Sequence, residues 1–415
     1  MQYRQRALGG RLAKLTKNFP IVVVSGARQV GKSTLVRHIL EDWEVVTLDP
    51  ALDIANSRSD PDLFLSNFPP PLIIDEIQYA PELVAALKRR VDTDRSPGQY
   101  VLTGSQQWQV LRSARESLAG RAVFLDLEGF SVHELGDSTG DRSWLTDYLK
   151  NPRAFVELGA GGRISRLSVD RPLSEQLWRG FLPEAQGIEL GLVGDLLEAY
   201  FRTYVERDVR TLADVADWQQ FGRFTQLLAA LTAQEINRSQ LGRELGMTPQ
   251  TAGRWRDMLT ATFQWQEIPA YSGNAIKRIS KRPKGHISDT GLACYLQRIS
   301  SPGALAGHPM FGALFETAVV AEIRKLAAAA SVRAGLYHWR SHGGAEVDLV
   351  LEQDGTLFPV EIKLTTRPTA SDARGIAAFR QSYPSATFAP GLVLCACDRP
   401  LLLTEETLAL PWDAE

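Results

Sequence analysis

Residues 20–34 read Pro-Ile-Val-Val-Val-Ser-Gly-Ala-Arg-Gln-Val-Gly-Lys-Ser-Thr, and this stretch decides the fold of the N-terminal region. The β-branched run Ile21–Val24 is typical of a strand that is buried on both faces. The next residues, Gly26–Ser33, match the phosphate-binding pattern G-x-x-x-x-G-K-[ST] in full. Because the strand, the turn and an amphipathic helix over Lys32–Glu41 follow in the required order, we expect an ATP site here and not a chance match.

Each part of this motif has a role in holding the phosphates of a nucleotide. The glycines let backbone N–H groups wrap around phosphate oxygens, and the N-terminus of the helix adds partial positive charge. Lys32 is expected to reach the β- and γ-phosphates, and the Ser33 hydroxyl is expected to ligate Mg²⁺. The predicted nucleotide-binding residues are Gly26, Ala27, Arg28, Gln29, Val30, Gly31, Lys32, Ser33 and Thr34.

A second motif supplies two carboxylates at the end of another buried strand, Leu72-Ile-Ile-Asp75-Glu76. Asp75 is expected to hold Mg²⁺ through water, and Glu76 is expected to orient and deprotonate the attacking water. The alternative is a strand that ends in two solvated acids. The phosphate loop upstream favours the catalytic interpretation.

The strand predicted over Gln99–Thr103 continues into Gly-Ser-Gln and so ends in small polar groups. We expect this strand to lie between the two motif strands, where a polar side chain contacts the γ-phosphate or the lytic water. Ser105 is the preferred candidate for this catalytic role, with Thr103 and Gln106 as the next candidates. An ordinary turn at the end of a strand is the alternative.

Strand-like and helix-like stretches alternate through residues 1–135, which predicts a mostly parallel sheet with helices on both faces. The expected fold class is therefore α/β. Beyond the first strand and helix, the expected strands are Glu44–Leu48, Pro71–Asp75, Gln99–Thr103 and Ala122–Leu127, and the expected helices are Glu82–Asp92 and Gln107–Ala119.

The bulk composition sets limits on the partners of the chain. It has 415 residues, enough for two or three domains, and a formal net charge of −2. A nucleic-acid partner would therefore have to be bound by local basic patches. Its three cysteines cannot form a disulfide framework. Because the apolar runs have only the length of strands and the N-terminus lacks the apolar core of a signal peptide, we expect a cytoplasmic protein without membrane contact.

Residues 237–259 predict a helix-turn-helix, the motif that places a second helix in the major groove of DNA. Gly246 ends a first helix, and Thr248 caps the next. One face of that second helix is apolar, which leaves polar and cationic side chains on the other face. The side chains predicted to face DNA are Gln250, Thr251, Arg254 and Arg256.

A basic segment follows, with five Lys and Arg residues between positions 277 and 284. In a winged helix the hairpin wing lies at this point and binds phosphates. The alternatives are a winged helix that serves for oligomerisation or as a lid, and a basic turn that is merely solvated. The cations added to the predicted DNA-binding set are Lys277, Arg278, Lys281, Arg282 and Lys284.

The C-terminal region, residues 301–415, carries a spaced set of charged residues. Asp348 lies on one predicted strand, and the next strand carries Glu361 and Lys363 in the order E-x-K. Glu316 lies on an upstream helix. This pattern resembles the PD-(D/E)xK nuclease fold, which implies Mg²⁺ ligation by the three carboxylates and a water-activating role for Lys363. The alternative is a nuclease-like domain that binds nucleic acid without cutting it.

A series of motifs runs along nearly the whole chain: GARQVGKSTL, LIIDEIQ, VLTGSQ, SLAGRAVFLDLEGFSVHEL, GFLPE, YVERDVR and SDTGLACYL. In this combination the sequence resembles the AAA+ ATPases, and more narrowly a bacterial and archaeal family whose C-terminal half is a domain of unknown function. The resemblance implies a homo-oligomeric ring, such as a hexamer, in which an arginine of one subunit completes the site of its neighbour. Arg121 is the first candidate for that arginine, followed by Arg207 and Arg210.

The expected regions are an ATPase domain over 1–135, a helical lid or linker over 136–220, a winged helix over 221–300 and a nuclease-like domain over 301–415. The leading functional hypothesis is an AAA+ ATPase that binds duplex or branched DNA and couples ATP turnover to its remodelling or translocation. The second hypothesis is an ATP-regulated, Mg²⁺-dependent nuclease, and the third is a nucleotide-controlled protein-interaction switch. Salt-sensitive DNA affinity would set the first two apart from the third.

Overall fold

The computed structural model of the chain describes residues 3–104, 118–138, 143–204 and 218–415. The side chain of Lys277 is not among the described atoms. The other predicted features that fall outside the described residues are Ser105, Gln106, Arg207, Arg210 and most of the helix expected over Gln107–Ala119.

The described residues of the N-terminal region form the strands β1 (Ile21–Ser25), β2 (Glu44–Thr47), β3 (Leu72–Asp75), β4 (Tyr100–Gly104) and β5 (Ala122–Asp126). They form a parallel sheet in the order β2-β3-β4-β1-β5. The helices of this region are α1 (Leu8–Thr16), α2 (Lys32–Ile39), α3 (Pro61–Asn67) and α4 (Leu83–Thr93). The predicted parallel α/β sheet is confirmed, and so is the position of β4 between the two motif strands β1 and β3.

The sheet is held by the apolar patterns that predicted it. All residues of β1 are buried, because its β-branched run packs against helices on both faces. Helix α2 packs on the sheet through Leu35 and Val36. Since the strands are parallel, the carboxyl ends of β1, β3 and β4 meet at one edge, where Ser25 lies opposite Gly104. Ligands bind at that edge in open α/β sheets.

The middle of the chain is largely helical, with one small antiparallel sheet in the order β6-β8-β7. Its strands are β6 (Gln234–Glu235), β7 (Trp265–Ile268) and β8 (Lys284–Ile287). The helices are α5 (Val132–Leu135), α6 (Trp144–Lys150), α7 (Pro152–Ala160), α8 (Leu173–Arg179), α9 (Pro183–Gly187), α10 (Val193–Thr203), α11 (Trp218–Ala230), α12 (Arg238–Glu244), α13 (Pro249–Ala261), α14 (Ala275–Ser280), α15 (Thr290–Leu296) and α16 (Pro302–Ala306).

The connection between β7 and β8, residues 269–283, differs from the hairpin wing expected there. The two strands are antiparallel neighbours, but the connection contains helix α14. It also packs on the C-terminal region, where Ala270 pairs with His338 and the N–H of Tyr271 donates to the carbonyl oxygen of His338. The basic segment is therefore part of an interface within the chain.

The C-terminal region combines a mixed sheet with helices. Its strands run in the order β14-β15-β13-β11-β10-β9, with β12 paired to β11. The elements are α17 (Phe311–Ala329), β9 (Gly335–Arg340), β10 (Glu346–Gln353), β11 (Thr356–Lys363), α18 (Arg374–Ser382), β12 (Thr387–Phe388), β13 (Gly391–Cys395), β14 (Leu401–Thr404) and β15 (Thr407–Pro411). Within the described ranges, no helix combines the length and the apolar character needed to cross a membrane.

The regions of the chain share one continuous core. A single set of contacting buried apolar side chains extends from Leu8 to Ala414. Helices α6 and α7 pack on the C-terminal region, and the hydroxyl of Tyr148 on α6 donates to the carbonyl oxygen of Pro390 at 2.6 Å. Part of the segment predicted as a lid or linker thus contributes to the packing of the C-terminal sheet.

Candidate functional site

The phosphate loop joins β1 to α2, and its backbone requires glycine at two positions. A Cβ atom at Gly26 would lie 2.1 Å from the carbonyl oxygen of Leu127, closer than any real contact. Gly31 has a φ of 92°, in the left-handed region that other residues rarely adopt. Helix α2 begins at the next residue, Lys32, so the unpaired N–H groups of its first turn lie at the loop.

Lys32 is buried and its ammonium group is held over the loop. Its Nζ donates to the carbonyl oxygens of Gly26 at 3.0 Å and Ala27 at 2.7 Å. Anionic phosphate oxygens are stronger acceptors than these carbonyls and would compete for the ammonium. The position of Lys32 therefore fits a role in phosphate binding.

Ser33 and Asp75 meet at the mouth of the loop, although they belong to different elements. The Ser33 hydroxyl donates to Oδ1 of Asp75 at 2.9 Å, and the Thr103 hydroxyl donates to the same carboxylate oxygen. Asp75 is buried at the end of β3. A serine hydroxyl and a carboxylate are oxygen donors of the kind Mg²⁺ prefers, so these residues fit a Mg²⁺ ion bound beside the phosphates.

Glu76 follows β3 in a left-handed conformation, with a φ of 62°. Its N–H donates to the hydroxyl oxygen of Thr103 at 3.2 Å, and its carboxylate accepts a hydrogen bond from Gln78. The half-buried Glu76 therefore has its backbone fixed at the end of β3, next to Asp75, and its carboxylate held by Gln78. Thr103, ranked behind Ser105 from the sequence, is the residue of β4 that joins the two acids.

Two arginines near this site were not identified from the sequence. A guanidinium nitrogen of Arg37 on α2 lies 3.7 Å from Oδ2 of Asp75, and its position four residues after Ser33 was an available signal. Arg6 donates to the carbonyl oxygen of Val30 in the phosphate loop at 2.7 Å. No local pattern indicates that contact, because Arg6 precedes the first strand.

Arg121, the first candidate for the arginine that completes a neighbouring subunit's site, is paired with an acid of its own chain. Its Nε and Nη2 atoms donate to both carboxylate oxygens of Asp92, at 2.6 Å and 2.9 Å. The side chain is only 20% exposed. A bidentate pair of this kind holds the guanidinium within its own subunit.

The charged residues of the nuclease-like pattern do come together in the C-terminal region. Lys363 Nζ lies 3.3 Å from Oδ2 of Asp348 and 3.2 Å from Oε2 of Glu361. A further residue joins them from the middle region, since Lys284 Nζ lies 3.0 Å from Oδ1 of Asp348 and 2.7 Å from Oε1 of Glu316. Two ammonium groups therefore lie within hydrogen-bonding distance of the three carboxyl groups of this cluster.

The protonation of the cluster follows from its burial. Burial raises the pKa of Glu361 to about 9, and the neighbouring Asp348 adds to that rise. Burial, followed by Asp348, raises the pKa of Glu316 to about 8. Burial would raise the pKa of Asp348 too, but Lys284 and Lys363 hold it below its usual range. The cluster therefore favours the ionised form of Asp348 and the protonated forms of both glutamates.

The prediction that Glu316, Asp348 and Glu361 bind Mg²⁺ stays a prediction, because the described side chains are paired with ammonium groups and are not arranged around a metal ion. In the described part of the chain, no three or more His, Cys, Asp or Glu side chains are arranged to hold a metal ion. The physical reason is the pairing with ammonium groups, since a divalent cation needs ionised oxygens that Lys284 and Lys363 occupy here.

Three of the cations predicted to contact DNA are paired inside the protein instead. Lys284 is buried in the carboxylate cluster. Arg256 is buried against Asp257 and Glu267. Arg278 pairs with Glu352 at 2.5 Å and lies over two tyrosine rings. The predicted DNA-binding residues whose side chains are exposed are Gln250, Arg254, Lys281 and Arg282.

The fold and the site define a P-loop ATPase of the AAA type. Residues 18–136 match the AAA domain family. Two further parts of the chain match families that carry no functional description, a domain of unknown function (DUF8612) over residues 170–303 and a second one (DUF4143) over residues 311–414.

The chain is 30% identical over 372 residues to Rv2008c of Mycobacterium tuberculosis and to Mb2031c of Mycobacterium bovis, both described as uncharacterized proteins. These alignments cover 89% of this chain and 76% of each relative, so this chain belongs to the same family. Among solved structures, the Walker-type ATPase paby2304 of Pyrococcus abyssi is 15% identical with a TM-score of 0.42, over 70% of this chain and 94% of that chain. The RuvB Holliday junction branch migration motor of Thermotoga maritima is 14% identical with a TM-score of 0.29. That match covers 67% of this chain and 95% of the RuvB chain.

Proposed function

We propose that this ATPase binds duplex or branched DNA and couples ATP turnover to remodelling or translocation of that DNA. The observation that carries the proposal is the order of elements in the middle region. Helices α12 and α13 are joined by a short turn and followed by the antiparallel strands β7 and β8. That is the order of a winged helix, in which the second helix of the pair enters the major groove.

The first turns of α13 carry side chains suited to a DNA groove. Thr248 caps the helix by accepting a hydrogen bond from the N–H of Thr251 at 3.1 Å. Gln250 and Arg254 are exposed, and their spacing of four residues puts them on one face. Arginine binds guanine edges and glutamine binds adenine edges in the major groove, so this face can read base pairs.

For the ATPase step, the proposed reaction is attack of a water molecule on the γ-phosphate. Lys32 binds the β- and γ-phosphates, and Glu76 orients the attacking water and accepts its proton. Ser33 and Asp75 are the residues that would hold Mg²⁺, which supplies positive charge to the phosphate oxygens when bound. Thr103 fixes the backbone at Glu76 through the bond at 3.2 Å.

The two other functional hypotheses have less support from the described contacts. Cleavage of DNA at Asp348 would require a divalent cation to displace the ammonium groups of Lys284 and Lys363. We therefore do not propose nuclease activity. The protein-interaction switch is not favoured by a specific contact, but it is the interpretation that a negative DNA result would leave.

Assembly into a homo-oligomeric ring is a separate proposal that rests on the AAA class. Arg121 would have to leave Asp92 to reach the neighbouring site, and the next candidates, Arg207 and Arg210, lie outside the described residues. The mass of the native particle, compared with and without ATP, tests this proposal independently of DNA.

The decisive experiment for the proposed function measures the steady-state ATPase rate with single-stranded, duplex and branched DNA, and without DNA. Lys32→Ala and Glu76→Gln serve as controls for turnover at the phosphate loop. Gln250→Ala combined with Arg254→Ala tests the proposed DNA face. We expect one form of DNA to stimulate the native rate, and the double variant to keep the basal rate but lose the stimulation.

A rate that no DNA changes, together with no DNA binding at low salt, would refute the DNA-coupled proposal and favour the protein-interaction switch. If DNA still stimulates the ATPase rate of the double variant, the protein is coupled to DNA, but the contact with DNA is not made by Gln250 and Arg254 on α13.

A further inference from the structure

Arg6 is a buried arginine that precedes α1 and contacts the phosphate loop. Its side chain is only 5% exposed, and its Nη1 donates to the carbonyl oxygen of Val30 at 2.7 Å. Its Nη2 donates to the carbonyl oxygens of Glu128 at 2.7 Å and Gly129 at 3.3 Å. The guanidinium therefore ties the phosphate loop to the segment that follows β5.

Glu134 holds the same guanidinium in place. Its Oε1 lies 3.0 Å from Nε of Arg6 and also accepts a hydrogen bond from the N–H of Ala7 at 2.7 Å. The ring of Phe130 covers the guanidinium, with its centroid 4.8 Å from the central carbon. Because arginine presents its donors in a rigid plane, one carboxylate and three carbonyls fix its position and orientation.

The segment that Arg6 holds is fixed from its other side by the GFLPE motif. The N–H of Phe130 donates to the carbonyl oxygen of Phe181 at 2.7 Å, and a Cβ atom at Gly129 would lie 2.7 Å from that oxygen. The N–H of Phe181 donates in turn to Oδ2 of Asp289 at 2.8 Å. Asp289 is buried and caps α15, so the contacts continue into the SDTGL motif.

We propose that Arg6 is a positioning residue of the ATPase site, which fixes the backbone of the phosphate loop. Asp289 contributes to the same positioning from the middle region, through its hydrogen bond with Phe181. The C=O and N–H groups of a trans peptide point in opposite directions, so a fixed carbonyl at Val30 also fixes the N–H of Gly31. That N–H is one of the donors that a phosphate loop offers to its nucleotide. The inference rests on nucleotide binding at the loop and does not depend on DNA.

The test compares Arg6→Gln and Arg6→Lys with a matched control, Arg4→Gln. Arg4 lies in the same segment and donates to the carbonyl oxygen of Leu135 at 2.8 Å, not to the phosphate loop. Equilibrium affinities for ADP and ATP are measured at a temperature where circular dichroism shows each variant to be folded. Melting temperatures without nucleotide are recorded separately, because a merely structural role would change only those.

We expect Arg6→Gln to weaken ADP and ATP binding about tenfold or more, the range of a lost charge-assisted hydrogen bond. Arg6→Lys should weaken binding less, because one ammonium can still bond a carbonyl, and Arg4→Gln should bind both nucleotides like the native chain. Asp289→Asn should weaken binding less than Arg6→Gln, since it acts through Phe181.

The proposal is overturned if folded Arg6→Gln binds ADP with native affinity, or if Arg4→Gln weakens binding equally. Should Arg6→Gln fail to fold, native ADP affinity in Arg6→Lys would overturn it in the same way. A native chain that binds ADP but ignores DNA would contradict the DNA proposal and leave the role of Arg6 unaffected.

Discussion

The ammonium group of Lys284 at the start of β8 lies 3.0 Å from Oδ1 of Asp348 on β10. This contact joins the small sheet of the middle region to the large sheet of the C-terminal region. The lysine lies between Asp348 and Glu316, where the sequence pattern predicts a metal ion. A cation is therefore present at the centre of the cluster, but the chain itself supplies it.

Replacing this lysine should destabilise the protein. In Lys284→Met, Asp348 loses one of its two ammonium partners in a buried position, and we expect a loss of unfolding free energy on the order of 3 kcal/mol. Urea denaturation of the native chain and the variant measures this loss. Lys281→Met is the matched control, because Lys281 is exposed three residues earlier and should cost little. Addition of Asp348→Asn to Lys284→Met should recover part of the loss; no recovery would contradict the ion-pair explanation.

The Thr103 hydroxyl should matter for turnover more than for nucleotide affinity. It accepts from the N–H of Glu76 and donates to Asp75, so Thr103→Val leaves both groups without that partner while keeping the side-chain shape. We expect kcat for ATP hydrolysis to fall about tenfold to a hundredfold, as for other residues that orient reacting groups. Thr93→Val, on the exposed surface of α4, should leave kcat unchanged. An unchanged kcat in Thr103→Val would remove Thr103 from the site.

Two neighbouring arginines of α13 should behave differently. Arg254 is exposed, so Arg254→Gln should weaken DNA binding and lower the slope of log affinity against log salt by about 1. Arg256 lies 2.7 Å from Asp257 and is buried, so Arg256→Gln should lower the melting temperature and leave the salt slope of the folded fraction unchanged. Fluorescence anisotropy with labelled duplex DNA at several salt concentrations distinguishes the two. Equal affinities and equal salt slopes for Arg254→Gln and the native chain would exclude a contact of Arg254 with DNA, whether to a base or to a phosphate.

His286 on β8 should make stability depend on pH. Burial, followed by the charges of Lys284 and Arg324, lowers the pKa of His286 from its usual 6.5 to about 3, while Asp348 acts in the opposite direction. Because the folded protein binds the proton less well than the unfolded chain, the neutral ring stabilises the fold fully above pH 6.5. This contribution is lost progressively as the pH falls towards 3. Between pH 7 and pH 5 it should decrease by about 2 kcal/mol.

The measurement compares the native chain with His286→Gln by urea denaturation at both pH values. The variant should start from a lower stability, since it loses the contact with Thr317, but should lack this part of the pH dependence. His38→Gln, at an exposed position of α2, is the control and should keep the native dependence. Glu316 and Glu361, whose pKa values are raised, act in the opposite direction over this range, so the test is the difference between the two chains. If the change in stability between the two pH values is the same in His286→Gln as in the native chain, His286 does not contribute to it.

The phosphate loop and the acid pair were predictable because their geometry is local. The left-handed glycine, the start of α2 and the donors that face a phosphate all lie within Gly26–Ser33. The convergence of Asp348 with Glu361 was also predictable, since β10 and β11 are joined by a tight turn. Strand order needed one more inference, that polar strand ends of a parallel sheet meet at the same edge.

The roles of the cations were not predictable in the same way. Each of these cations pairs with a carboxylate that is distant in the sequence. The partner of Lys284 is 64 positions away, that of Arg278 is 74 positions away and that of Arg121 is 29 positions away. A run of basic residues indicates a solvated or DNA-binding surface only when no such partner approaches it. The contacts of Thr103 with Asp75 and Glu76 had a similar limit, because the local pattern of small polar residues does not specify them, and the role of Ser105 stays a prediction outside the described residues.

The sequence by itself therefore determined the parallel sheet, the phosphate loop and the carboxylates at its edge, since hydrogen bonds between near neighbours and apolar periodicity specify them. Only the tertiary structure decided that Lys284 neutralises Asp348 and that Arg6 braces Val30. Each of these contacts joins side chains from separate elements, and a buried charge is stable only where its partner is brought to within hydrogen-bonding distance. That distance is set by how the sheets and helices pack, which no short stretch of sequence contains.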